Sequence, residues 1–148
     1  MTLTAVHAAA SWLSYAAFLC AGCAGAGFLL QERQLKRKHH GAIMRSLPSL
    51  VMLERVTLGA LTAGLVLLGA GIASGMAGTK GRFGEWWLGD PKEVLTIGVW
   101  VGYLMVVAGR VLVSMRGRRI AVWSVLGLGG VLVAALGAAW WASVHPYG

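Results

Sequence analysis

Charge is scarce in this 148-residue chain: 12% of residues are Asp, Glu, Lys or Arg, and only five are acidic. Soluble domains average about 25% charged residues, so a water-soluble domain is excluded for most of the sequence. Hydrophobic residues make up 57%, and mean hydropathy is +0.71. The charges crowd into short stretches between long apolar ones, and the solvent for those is lipid. Four membrane crossings would use nearly all of the length, which leaves no room for a globular domain outside the bilayer. Residues 1–148 are therefore expected to be one membrane domain.

Other absences narrow the reading further. The first apolar run has no basic segment ahead of it and is too long for a signal-peptide core, so a retained helix is expected. Cys20-Ala-Gly-Cys23 has a faint likeness to a lipoprotein cleavage box, but Cys20 stands where Leu belongs. There is no C-x-x-C-H, which excludes a c-type cytochrome. The basic stretches QERQLKRKHH and RGRR contain no Phe, Tyr or Trp on which bases could stack. Nucleic acid is thus not an expected partner.

What is present is a set of uncharged runs. Residues 3–30 have His7 but no Asp, Glu, Lys or Arg; 56–77 and 120–144 have none of these; 94–113 is broken only by Arg110. Each meets the roughly 20 residues needed to cross about 30 Å of hydrocarbon. Strands of a membrane barrel alternate in polarity, whereas these runs are continuously apolar, and a helix satisfies its own amides in lipid. The expected fold is all-α, a polytopic four-helix bundle with helices near 4–30, 50–77, 94–114 and 120–144 and a loop at 78–93.

Basic residues orient that bundle. The connections 31–49 and 114–119 carry Arg33, Lys36, Arg37, Lys38, Arg45, Arg116, Arg118 and Arg119, and Arg55 and Arg110 lie at adjoining helix ends. The middle connection has Lys80, Arg82 and Lys92, offset by Glu85, Asp90 and Glu93. The positive-inside rule places the two basic connections in the cytoplasm, so both termini and the middle loop face outward. Net charge is thereby a topology signal first, with anionic headgroup contact as a secondary effect.

This topology gathers His7, His145 and the segment Gly84-Glu-Trp-Trp-Leu-Gly-Asp-Pro-Lys-Glu93 on one face. Two imidazoles and an aromatic wall suit a flat iron-bearing cofactor. Zinc fits less well, since a structural site usually needs four close ligands. Plainer readings stand beside this one. A histidine near a helix end is commonly interfacial; Trp12, Trp123, Trp140 and Trp141 fit an aromatic belt. Asp90-Pro91 fits a helix start, with Asp as cap and Pro first inside.

The segment from Phe83 through Glu93 resembles the WWD loop of the cytochrome c assembly family, the haem-handling membrane proteins grouped as CcsA, CcmC and HemX-like. Against the pattern W-G-x-[YW]-W-x-W-D-P-K-E, residues Gly84, Trp86, Trp87, Asp90, Pro91, Lys92 and Glu93 match, and the likeness continues through Trp100 and Tyr103. His7, Ser11 and Tyr15 resemble the family's outer histidine helix, residues 31–38 and 47–50 its cytoplasmic connection, and Gly117-Arg-Arg119 with His145 its basic turn and second histidine. The pattern's first and last Trp are replaced by Phe83 and Gly89, and a Trp usual in the next helix is Leu95. The likeness covers only the final four-helix part of longer members.

The resemblance implies that His7 and His145 ligate haem iron while Phe83, Trp86, Trp87 and Asp90 hold the porphyrin and Arg82 and Lys92 pair with propionates. Lys80 is a further propionate candidate. The implied protein is not an enzyme. It sits in a bacterial inner membrane with both termini outside, binds b-type haem non-covalently, and delivers it to apocytochrome c, a haem chaperone or another membrane protein. Two alternatives stay open: a HemX-like subunit or regulator with a degenerate, haem-free site, motivated by Phe83 and Gly89, and a b-type bis-histidine electron carrier, disfavoured because no histidine lies in mid-membrane. A proton-coupled exporter would need a mid-membrane carboxylate, and Glu54 lies at a helix end. Cys20 and Cys23, with the glycines of the second and fourth helices, read as small residues that let helices approach.

Overall fold

Four helices form from the four apolar runs in the computed structural model, which describes residues 2–37, 48–86 and 89–144. They are α1 (Thr2–Lys36), α2 (Leu50–Phe83), α3 (Pro91–Leu112) and α4 (Arg118–Val144), and no strand occurs among the described residues. Each has a stretch long and apolar enough to cross a membrane.

Local chemistry sets the helix limits. Ser49 caps α2, its side chain accepting the Met52 N–H at 3.3 Å. Asp90 caps α3 by accepting the Lys92 N–H at 3.1 Å, with Pro91 next, as the sequence reading anticipates. Helix α2 stops at Gly84, whose φ of 77° is left-handed and whose N–H returns to the Lys80 carbonyl at 2.9 Å.

Two helices run further than their apolar runs suggest. Helix α1 continues through Lys36, where good helix formers and a Glu32–Lys36 pair at 2.9 Å extend it past the hydrocarbon. Helix α2 continues through Phe83 because nothing before Gly84 breaks it. At 1.5 Å per residue both are roughly 50 Å long, so their charged ends project beyond a core about 30 Å thick. The loop expected at 78–93 contracts to 84–90, and Lys80, Arg82 and Phe83 stand on a helix.

Helices α1 and α2 pack antiparallel in a fixed register. Phe18 lies against Gly64, Ser11 against Gly71 and His7 against Gly75. These contacts are seven and then four residues apart on both helices, so they fall on one face of each. Phe18 is fully buried and stacks on Tyr103 of α3, with ring centroids 4.2 Å apart and planes at 13°. Trp100 ties α3 to α2 by donating its indole N–H to the Leu65 carbonyl at 3.0 Å. Helix α4 closes the ring against α1, where Ser124 Oγ donates to the Ala121 and Ala21 carbonyls at 3.0 and 3.3 Å. Gly25 lies beneath Ser124 and Gly22 beneath Leu128, so α4 runs antiparallel to α1 and brings Val144 to the His7 end.

The small residues divide. Gly22, Gly25, Gly64, Gly71, Gly75 and Gly127 lie at close contacts, and Gly69 faces the Trp100 indole, but Gly59, Gly129, Gly130 and Gly137 face open space. Cys20 and Cys23 are both exposed, so they do not bring helices together. Of the tryptophans expected to form an aromatic belt, Trp12, Trp123 and Trp140 are exposed on the bundle, and the Trp141 side chain lies outside what the structure describes. Arg110 folds toward the α3–α4 turn, where its Nη1 donates to the Met115 carbonyl at 3.3 Å.

Candidate functional site

An open cleft of about 360 Å³ lies between the start of α1, the last turns of α2 and the start of α3. That volume is at the lower end for small-molecule sites. His7, Arg82, Phe83, Asp90 and Lys92 all line it. Of the sequence-proposed site residues, these five share one cleft. Trp86 is not in the lining; its ring instead carries the Lys80 ammonium 3.9 Å from the centroid. Trp87, His145 and the loop histidines His39 and His40 lie outside the described residues.

The His7 geometry is the most specific feature. Its Nδ1 is 2.7 Å from the Gly71 carbonyl oxygen. A carbonyl only accepts, so Nδ1 carries a proton, and in the neutral ring Nε2 then keeps its lone pair. That is the form in which an imidazole binds a metal, with the other ring nitrogen held by a carbonyl. The ring can reach Gly71 because residue 75 has no side chain; a Cβ there would lie 3.0 Å from Nδ1. Ser11 steadies the same turn of α1 by donating to the His7 carbonyl at 2.8 Å.

Charge in the cleft is mixed. Arg82 and Lys92 bring positive charge, and Asp90 and Glu93 bring negative. Asp90 Oδ1 is committed to capping α3. Phe83 is 65% exposed and supplies an aromatic surface at the rim. Thr79 Oγ1 is turned inward to the Gly75 carbonyl at 3.1 Å. The cleft thus brings together one imidazole, an aromatic rim, two cations and two carboxylates.

The loop after Phe83 has its own path. Gly89 has a φ of 72°, a conformation that side-chain-bearing residues rarely adopt. A tryptophan at 89, as in the sequence pattern, would strain this backbone. The replacement is therefore built into the turn that delivers Asp90 to α3.

Sequence reasoning missed the supports around His7. Gly71 and Gly75 registered only as packing glycines, and Ser74 not at all. A backbone carbonyl 64 residues away leaves no pattern to read, though two glycines four apart on a helix mark a close approach. Trp100 and Tyr103, noted for their likeness to a family, serve the bundle core.

Comparison with known proteins bears on this arrangement. The cytochrome C assembly protein family matches residues 2–145. An uncharacterized 28.8 kDa protein in the nifR3-like 5' region of Azospirillum brasilense is 36% identical over 118 residues, 78% of this chain and 43% of that protein. The cytochrome c biogenesis protein CcsA of Synechococcus sp. (strain WH7803) is 33% identical over 85 residues, 57% of this chain and 27% of its own length. CcsA of Prochlorococcus marinus (strain NATL2A) is 28% identical over the same length and shares. The chain spans less than half the length of these curated relatives. No solved structure matches.

Proposed function

The chain belongs to the cytochrome c assembly protein family, and from that premise we propose that it holds haem at the His7 end of the bundle and passes it to a partner. Haem is cargo in this reading. The observation that carries it is the His7 imidazole, its Nδ1 held 2.7 Å from the Gly71 carbonyl oxygen, in a cleft with Arg82, Phe83 and Lys92. His7 binds iron through Nε2. Arg82 and Lys92 pair with the propionates, and Phe83 flanks the macrocycle.

His145 follows directly on α4, which ends at Val144 on the His7 side of the bundle, and is proposed as the second imidazole. The site faces outward, with both termini, from a bacterial inner membrane. Delivery proceeds by ligand exchange: each imidazole holds iron until an acceptor supplies its own ligand, and no bond from protein to porphyrin forms. An open cleft of modest volume suits cargo that must leave. The recipient is apocytochrome c, a haem chaperone or another membrane protein.

A second reading keeps the fold without delivery, as a subunit of a larger assembly, and is favoured by the glycine-specific turn at Gly89. Haem-loaded protein in detergent, mixed with excess apomyoglobin as a haem trap, separates the two. Exchangeable cargo should move to the trap within minutes to hours. Haem that stays in place marks a permanent electron carrier, and protein that takes up none marks the subunit reading.

A further inference from the structure

Gly71 presents its carbonyl to more than its own helix. The oxygen accepts from His7 Nδ1 at 2.7 Å and from Ser74 Oγ at 3.0 Å. The helical pattern also directs the N–H four residues on, that of Gly75, toward the same oxygen. Gly75 leaves the imidazole the space it occupies, since a Cβ would lie 3.0 Å from Nδ1 and 3.1 Å from Cε1. Free neutral histidine favours the opposite tautomer, with the proton on Nε2. A strong acceptor fixed at Nδ1 is what reverses that preference.

We propose that Gly71, Ser74 and Gly75 form a positioning device that holds the His7 proton on Nδ1, presents Nε2 to the cleft and sets how strongly that nitrogen donates to iron. The function of the device rests on the haem-holding reading above; the proton placement itself does not. Ser74 is the adjustable part. By sharing the Gly71 oxygen it weakens the bond from His7, and with it the electron density pushed toward Nε2. Losing the Ser74 hydroxyl should strengthen the His7–Gly71 bond and favour ferric over ferrous iron.

The proton can be located without haem. In full-length apoprotein labelled with 15N-histidine in detergent micelles, long-range 1H–15N correlation reports the tautomer of each ring, and His7→Ala identifies the His7 signal. Wild-type protein should show His7 protonated at Nδ1, and Gly75→Ala should shift the population toward Nε2–H. In protein loaded with haem, Ser74→Ala should lower the reduction potential while the spectrum keeps its wild-type form. His7 found as Nε2–H in wild-type protein would overturn the proposal, as would an unchanged potential in Ser74→Ala. The two readings fail separately. Nδ1–H at His7 with no uptake of added haem removes the cargo and leaves the proton placement standing; haem bound through His7 as the Nε2–H form does the reverse.

Discussion

His7→Ala is expected to remove the wild-type haem spectrum from the purified protein. The imidazole is a direct ligand in this account, and once it is lost the cleft lining offers iron only carboxylates, hydroxyls and the Met76 thioether, none of which reproduces an imidazole's spectrum. The change should be nearly pure loss of ligation. His7 is exposed and its ring belongs to neither buried cluster of the described residues, so the bundle should remain folded. Haem that still associates should be held through one imidazole and give a high-spin spectrum, and added imidazole should restore part of the low-spin form by entering the vacated space. A spectrum identical to wild type would show that His7 is not a ligand, whatever else the protein binds.

The other large effect is expected in the bundle, at Gly64. A Cβ at that position would lie 2.6 Å from Phe18 Cε1 and 2.8 Å from Cδ1. The ring cannot swing aside, because it is fully buried and stacked on Tyr103. Overpacking of this kind costs about 1–3 kcal/mol, enough to exceed the roughly 1 kcal/mol that alanine gains over glycine in a helix. Gly64→Ala should therefore lower stability, and Gly64→Val should lower it more. Gly59 faces open space one to two turns away on the same helix, so Gly59→Ala should be neutral or slightly stabilising. Thermal unfolding of the three variants in one detergent tests the comparison. Gly64 also sets the register that brings Gly71 and Gly75 to His7, so Gly64→Val should weaken haem uptake without touching the cleft.

Much of this architecture is legible in the residue order. Uncharged runs of about 20 residues declare the helices because lipid tolerates little else. The ends of α1 and α2 were not legible, since helical turns beyond the hydrocarbon have no hydropathy signal. Lys80, Arg82 and Phe83 therefore read as loop and proved to be helix. Asp90-Pro91 was readable because a cap and its proline have positional chemistry of their own. Cys20 and Cys23 misled because smallness suits a helix contact, yet which face of α1 is covered depends on its neighbours.

At the site, chemistry-bearing side chains could be read and their supports could not. His7, Arg82, Phe83, Asp90 and Lys92 are conspicuous in a chain with so few polar residues, and topology alone brings them to one end. The carbonyl that orients His7 belongs to a glycine, and every residue has a carbonyl. Its role follows from the α1–α2 register, which arises from Phe18 against Gly64 and Ser11 against Gly71. Trp86 reads as a wall of the site, but in the structure its ring pairs with Lys80 instead.

The central claim is that this protein holds haem through imidazole at the His7 end of the bundle. The visible absorption spectrum of detergent-purified protein supplied with haem, oxidised and then reduced, tests it most directly. The account predicts a low-spin bis-imidazole spectrum with sharp bands on reduction. Protein that stays colourless with haem in excess would contradict it.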